Sequence, residues 1–309
     1  MNRRTFVASV VAAGYSLASS TGIVAGRNLG TMTLQLEGVD MTATTPKTGY
    51  SSVNGLEMYY EIHGSGQPLV LLHGGFSTID IDFGRALPAL AATRQVIATE
   101  LQGHGHTADI DRPLSYALMA GDVAALLGHL GVAQADVFGY SVGAAVSIEL
   151  ALQQPDLVRK LVLATPSTNW SGLHPGLLTG LETMTPEVMY GSPFHDAYLE
   201  VAPRPEDFET LFAKKQAMDR AWAGWSDETI QSITAPVLLI AGDADIVRSE
   251  HVVELFRLFG GGVAGDIAGL PPSRLAILPG TTHITLVHRG EWLAAMVTEF
   301  LDAPMPEAG

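Results

Sequence analysis

At 309 residues, 47% of them hydrophobic and 16% charged, the chain can bury the core of one large α/β domain with an insertion. Its 17 Lys and Arg against 32 Asp and Glu leave a formal charge of −15, which argues against nucleic acid and against an anionic membrane surface as partners. Cysteine is absent, which excludes disulfides, thiol catalysis and iron–sulfur ligation.

In chain order, Asn2-Arg3-Arg4-Thr5-Phe6-Val7 is followed by an apolar run, Val7–Ala18, and a small-x-small site at Ser16-Leu17-Ala18. This reads as an export signal of twin-arginine type, and it is too short to span a bilayer. The alternative is a start placed too early, with Met32 and Met41 both preceding the domain, and a cytoplasmic protein. No other segment is long and apolar enough for stable membrane insertion. Residues up to about Lys47 are rich in Gly, Thr and Ser and lack periodicity, so 1–47 is read as signal and flexible lead-in.

The predicted core runs over 48–167 and 226–303. Met58–His63 and Pro68–Leu72 read as strands divided by the turn signal Gly64-Ser65-Gly66. A helix is expected over Phe83–Ala92, a strand over Gln95–Glu100 and a long helix over Tyr116–Leu130, ended by Gly131. Ala135–Tyr140 and Val158–Ala164 are strand-like and flank a helical run, Ala144–Gln153. Pro236–Ala241 and Arg274–Leu278 are further apolar runs of buried-strand type. This alternation predicts a doubly wound, mostly parallel sheet. It stops over 168–225, which is rich in Trp, Phe, Tyr, Met and Pro and contains no strand-like run. Gly260 to Gly265 lacks the Gly-Lys-Ser/Thr ending of a phosphate loop and reads as a connection before the last strand.

The chemistry concentrates in Gly139-Tyr140-Ser141-Val142-Gly143. Between a strand and a helix, a serine on a sharp turn holds its hydroxyl clear of the backbone, and flanking glycines avoid a clash across that turn. A serine hydroxyl needs a base, and the base needs an orienter. Gly242-Asp243-Ala244-Asp245 and Pro279-Gly280-Thr281-Thr282-His283 each follow a predicted strand, which brings acid and histidine to the edge where parallel sheets bind ligands.

Five motifs in this order resemble the α/β-hydrolase superfamily, from about Tyr50 to about Leu301. They are Leu71-Leu72-His73-Gly74-Gly75, Glu100 to Thr107, Gly139 to Gly143, Gly242 to Val247 and Pro279 to His283. In the second, Glu100 and Thr107 stand where the family carries Asp and Ser. The resemblance implies the α/β-hydrolase fold with a helical cap, 168–225, inserted after strand six. It implies Ser141 as nucleophile, His283 as general base and Asp245 as its orienter, with Asp243 the rival acid, otherwise a loop-capping residue. The oxyanion hole would use backbone N–H groups of Val142 and of Gly75 or Phe76. No cofactor and no metal is implied. His104 and His106, followed by Asp109 and Asp111, lack the spacing of a metallohydrolase, and His73 reads as a brace for its turn. The expected substrate is a small carboxylic ester or lactone. Carbon–carbon bond hydrolases and cofactor-free perhydrolases share the same residue set, and a ligand-binding receptor on this fold is the non-enzyme alternative. Epoxide hydrolases and haloalkane dehalogenases place Asp at the serine position, so Ser141 argues against both. The sequence leaves the oligomeric state open.

Overall fold

The computed structural model describes residues 46–305, so the export-signal reading of 1–47 lies outside the described residues except at its last two positions. Eight strands form one sheet in the order β1-β2-β4-β3-β5-β6-β7-β8. They are β1 (Lys47–Val53), β2 (Leu56–His63), β3 (Gln67–Leu72), β4 (Arg94–Thr99), β5 (Ala135–Tyr140), β6 (Val158–Ala164), β7 (Val237–Ala244) and β8 (Arg274–Thr282). The β1–β2 and β2–β4 pairs are antiparallel and the rest are parallel. This is the doubly wound, mostly parallel sheet expected from the alternation of apolar runs.

The central strands are buried on both faces, and for that reason they read as continuous Val, Leu and Ile runs. On one face, α3 (Tyr116–His129), α4 (Val142–Gln153) and α9 (Ser249–Leu258) pack through Met119, Val123, Val146, Ile148, Val252 and Leu255. On the other, α1 (Ile79–Phe83), α2 (Leu87–Ala91) and α10 (Gly290–Asp302) contribute Phe83, Leu90, Leu293, Val297 and Phe300. Each such side chain contributes about 1.5–3 kcal/mol relative to exposure. At the N-terminal edge of the sheet, fully buried Asp136 is held by Arg94 at 3.0 Å and Arg159 at 2.8 Å.

Three local expectations change. The helix expected over Phe83–Ala92 is two short helices, because Pro88 lacks the N–H that a helix interior needs and starts a new helix instead. The lead-in gives way to β1 at Lys47, an edge strand not anticipated from its sequence. Asn54 and Gly55, both at positive φ, turn it into β2, an Asn-Gly hairpin signal present in the sequence. Finally, β7 and β8 run on to Ala244 and Thr282. Asp243 therefore lies in a strand end, with a register shift between Gly242 and Ala244. Backbone pairing with the neighbouring strand carries β7 and β8 past Gly242 and Pro279, where side-chain pattern alone stops.

Among the described residues between β6 and β7 there is no strand. This stretch holds α5 (Leu177–Thr183), α6 (Pro193–Val201), α7 (Phe208–Ala221) and α8 (Asp227–Gln231), with short 3-10 turns between them. The Phe212 ring stacks on Phe76 at 5.4 Å, and Trp222 meets Tyr116 edge-on at 5.6 Å. Lys214 Nζ contacts Asp109 Oδ2 at 2.6 Å. These contacts hold the helices over the C-terminal ends of the parallel strands.

Candidate active site

The chain passes from β3 to β4 on one side and then to β5 on the other, so β3 and β5 flank the point where strand order reverses. A crevice opens there in sheets of this kind. Leu72 is level with Gly139, and Tyr140 is level with Ala164. Ser141 follows at once, at φ 54 and ψ −112. That conformation is strained for a residue with a side chain. It is pinned by the Ser141 N–H donating to the Ala164 carbonyl at 3.0 Å, and by the Ser141 carbonyl accepting from Ala144 N–H at 3.0 Å. A Cβ at Gly139 would overlap the Gly143 carbonyl, and one at Gly143 would overlap the Leu72 carbonyl. Both glycines are thus required by close backbone approach. Val142 opens α4, so its N–H has no intrahelical acceptor and lies at the positive end of the helix.

Asp245 and His283 meet Ser141 from β7 and β8. The His283 Nδ1–H donates to Asp245 Oδ1 at 2.8 Å, and His283 Nε2 lies 3.0 Å from Ser141 Oγ. A carboxylate only accepts, so Nδ1 carries the proton and Nε2 is free to accept from the serine. The Asp245 side chain is fully buried. Its carboxylate also accepts from Val247 N–H at 3.1 Å and Gly242 N–H at 3.4 Å. Tyr140 Oη donates to the His283 carbonyl at 2.8 Å, fixing the backbone that carries the imidazole. Asp243 is exposed and accepts from Thr281 N–H at 3.1 Å. Hydrogen bonds from the Gly280 and Thr281 backbone hold its carboxyl below the ordinary range. It caps the backbone at the end of β8, and its hydrogen bonds go there and not to His283.

The loop after β3 supplies the facing wall. A Cβ at Gly75 would stand 3.1 Å from Val142 Cγ2 and 3.2 Å from Lys215 Cε, so Gly75 sits beside the start of α4 and beneath α7. Phe76 follows at φ 59. His73 is buried, with Nδ1 2.7 Å from the Gly74 carbonyl and Nε2 accepting from Leu101 N–H at 3.0 Å. It braces the turn. Asp82, also buried, accepts from Gly74 N–H at 2.7 Å, and burial pushes its carboxyl up to about 6.

Among the described residues, chambers on two sides open on Ser141. The outer one, about 230 Å³, is lined by Phe76, Leu177, Leu181, Met184, Met189 and Ile246. The smaller, designated inner, is about 120 Å³ and is lined by Tyr116, Thr165, Trp170, Lys215, Asp219 and Trp222 together with the apolar Ala145, Leu173 and Val247. Ser141, Val142, Leu177, Leu181, Lys215, Ile246 and His283 border both.

The histidines of the Glu100 loop have other work. His104 is buried, its Nδ1 is 2.9 Å from the Gln102 carbonyl, and burial pushes its pKa down to about 3. His106 Nδ1 donates to Glu100 Oε2 at 2.8 Å, and that bond raises its pKa. Thr107 Oγ1 donates to the Glu100 carbonyl at 2.8 Å and accepts from Tyr59 N–H at 2.9 Å. The loop is stapled by its Glu and Thr as a turn. Sequence reading missed Lys215–Asp219 and Asp82. The i,i+4 spacing of Lys215 and Asp219 signals an ion pair, but nothing local says that it faces a cleft.

The model of the alpha/beta hydrolase fold family matches residues 67–188. Several curated relatives align over less than half their own length. The soluble epoxide hydrolase of Corynebacterium sp. (strain C12) is one, 38% identical over 114 residues that span 36% of this chain and 38% of that enzyme. The pimeloyl-acyl-carrier-protein methyl ester esterase of Neisseria meningitidis serogroup B is 26% identical over 252 residues, covering 75% of this chain and 92% of that enzyme. Among solved structures, the meta-cleavage product hydrolase from Pseudomonas fluorescens IP01 superposes with a TM-score of 0.68 at 21% identity, over 83% of this chain and 97% of that one. The chain therefore has the α/β-hydrolase fold, and its residues 67–188 match the model of that family.

Proposed function

We propose that the protein is a serine hydrolase acting on a carboxylic ester or a lactone. The observation that carries this reading is the unbroken chain from Asp245 through His283 to Ser141, with contacts of 2.8 and 3.0 Å. His283 Nε2 takes the serine proton as Oγ attacks the carbonyl carbon, and Asp245 stabilises the imidazolium that forms. The tetrahedral oxyanion is held by the backbone N–H of Val142 and one from Gly75 or Phe76. One such donor lowers the barrier by about 3 kcal/mol. His283 then protonates the leaving alcohol. Water, deprotonated by the same histidine, releases the acyl group and restores Ser141. The helices over 168–225 act as the cap that excludes water from this site.

A panel of small esters and lactones, run beside a fluorophosphonate probe on wild type and Ser141→Ala, tests the reading. Turnover and labelling are expected only in the wild type. Undiminished turnover by a folded Ser141→Ala protein overturns it.

A further inference from the structure

The two chambers beside Ser141 differ in chemistry. The outer one is mostly apolar, whereas the inner one, which shares Leu177, Leu181 and Ile246 with it, also buries polar groups that the protein does not satisfy by itself. Thr165 is 3% exposed, stands at φ 53, and its Oγ1 has no hydrogen-bond partner. Trp222 Nε1 is buried and likewise lacks one. Both residues line the inner chamber. An unpaired buried hydroxyl or indole N–H is costly, and Val or Phe would fill the same space without that cost. Lys215 and Asp219 line the chamber too, with Nζ 2.6 and 2.7 Å from the two carboxylate oxygens and both side chains nearly buried.

We infer that the inner chamber is a specificity subsite for an uncharged, oxygen-bearing group of the substrate, a hydroxyl or ketone within a few bonds of the scissile carbonyl. Thr165 Oγ1, Trp222 Nε1 and the remaining Lys215 N–H supply hydrogen bonds to that oxygen. The Lys215–Asp219 pair decides its charge. One ammonium is already matched by one carboxylate, so an anionic group would meet Asp219 across a small chamber, and a cationic one would meet Lys215. A neutral hydroxyl can accept from Lys215 and donate to Asp219 without displacing either, and a ketone can accept from Lys215. The outer chamber, lined by Phe76, Leu177, Leu181, Met184 and Met189, takes the apolar remainder. This inference rests on the hydrolase reading for its scissile bond.

The experiment uses matched esters of equal length, one unsubstituted, one bearing a hydroxyl or ketone, and one bearing a carboxylate. The kcat/KM ratio of the oxygenated to the plain ester is read for wild type, Thr165→Val, Trp222→Phe and Lys215→Met/Asp219→Leu. Calorimetry of the same esters on Ser141→Ala reads the chamber without turnover. The wild type is expected to favour the oxygenated ester by about tenfold or more in kcat/KM and in affinity, since a site built for a hydrogen bond discriminates against its absence. Thr165→Val and Trp222→Phe are each expected to lower that ratio several-fold, and the carboxylate ester is expected to be the poorest of the three. A wild-type ratio near one overturns the inference, as does a ratio that neither single variant alters, or a preference for the carboxylate ester. Absence of fluorophosphonate labelling on wild type instead defeats the hydrolase reading, while the calorimetric preference still decides the subsite.

Discussion

Ser141 lies between two regions that hold their side chains by different means. On the sheet edge, position is set by backbone. Gly139 and Gly143 allow strand, turn and helix to approach without room for a Cβ. Asp245 is held by the N–H groups of Gly242 and Val247, and His283 by Tyr140 through its carbonyl. In the covering helices, position is set by side-chain contact: Phe76 on Phe212, Trp222 on Tyr116, Lys214 on Asp109. The first helix there, α5, has seven residues and follows Gly176, which offers no side-chain cap. A backbone-held site tolerates little change, whereas a packed surface can repack around a substitution at modest cost. The edge should therefore respond to substitution by large losses, and the cover by graded shifts in preference.

The sharpest break of that contrast is Ser141→Ala. Ester hydrolysis should fall by about 10⁴-fold or more, with loss of fluorophosphonate labelling and an intact far-UV spectrum. If the loss were only graded, the edge would not be the reacting centre. Next in size is the acid pair. Asp245→Asn should lower kcat by about 10³- to 10⁴-fold, because an amide favours the wrong histidine tautomer. Asp243→Asn should cost less than about tenfold, since Asp243 is exposed and bonds the Thr281 N–H at 3.1 Å. A reversed order, in proteins that both fold, would move the acid to Asp243.

Stability measurements sharpen the edge itself. Gly143→Ala forces a methyl group against the Leu72 carbonyl, and urea unfolding should show a loss of about 2–3 kcal/mol. An unchanged midpoint would mean that strand and helix can separate there. Asp82 gives a pH-dependent counterpart. Its folded-state pKa is pushed up to about 6 by burial, from an ordinary 3.8. The folded state then keeps a proton between pH 4 and 6 that the unfolded chain has released, so this group's contribution weakens as pH rises through that window and is level above it. Asp82→Asn keeps an acceptor for the Gly74 N–H. It should gain up to about 3 kcal/mol at pH 7 relative to wild type, with the gain shrinking to nothing near pH 4. A difference independent of pH would show that Asp82 acts by packing alone.

The smallest effect is expected in the cover. Met184→Ala and Leu181→Ala enlarge the outer chamber and should change the ranking of short and long esters by about tenfold. Labelling by a small fluorophosphonate should persist in both. A loss of labelling as deep as that of Ser141→Ala would place these residues with the edge.

Much of the edge was legible in the residues. The Val, Leu and Ile runs of β3, β6 and β7 announce strands buried on both faces. Gly139 to Gly143 announces a tight strand-to-helix turn, and Asp245 and His283 follow strands whose ends must be level in a parallel sheet. Each of these is a local signal with a steric or hydrogen-bonding cause. Other features were not legible, because their cause lies far along the chain. Lys47–Val53 becomes a strand through pairing with β2, although Asn54-Gly55 advertised the turn. Asp82 comes under Gly74 only when α1 folds back across the loop after β3. The Lys215–Asp219 pair reads as a surface pair by spacing, and it faces a cleft only because α7 lies over Ser141.

The amino-acid sequence determined the order of strands and helices, the serine turn and the identity of the residues at the strand ends, because these follow from side-chain period, glycine sterics and turn chemistry within a few residues. The three-dimensional packing determined which acid reaches His283, how far β7 and β8 extend, and that one chamber is mostly apolar while the other carries Thr165, Trp222 and an ion pair. Those outcomes depend on residues brought together across 38 positions in the case of Asp245 and His283. They also depend on where the covering helices settle, which no local signal encodes.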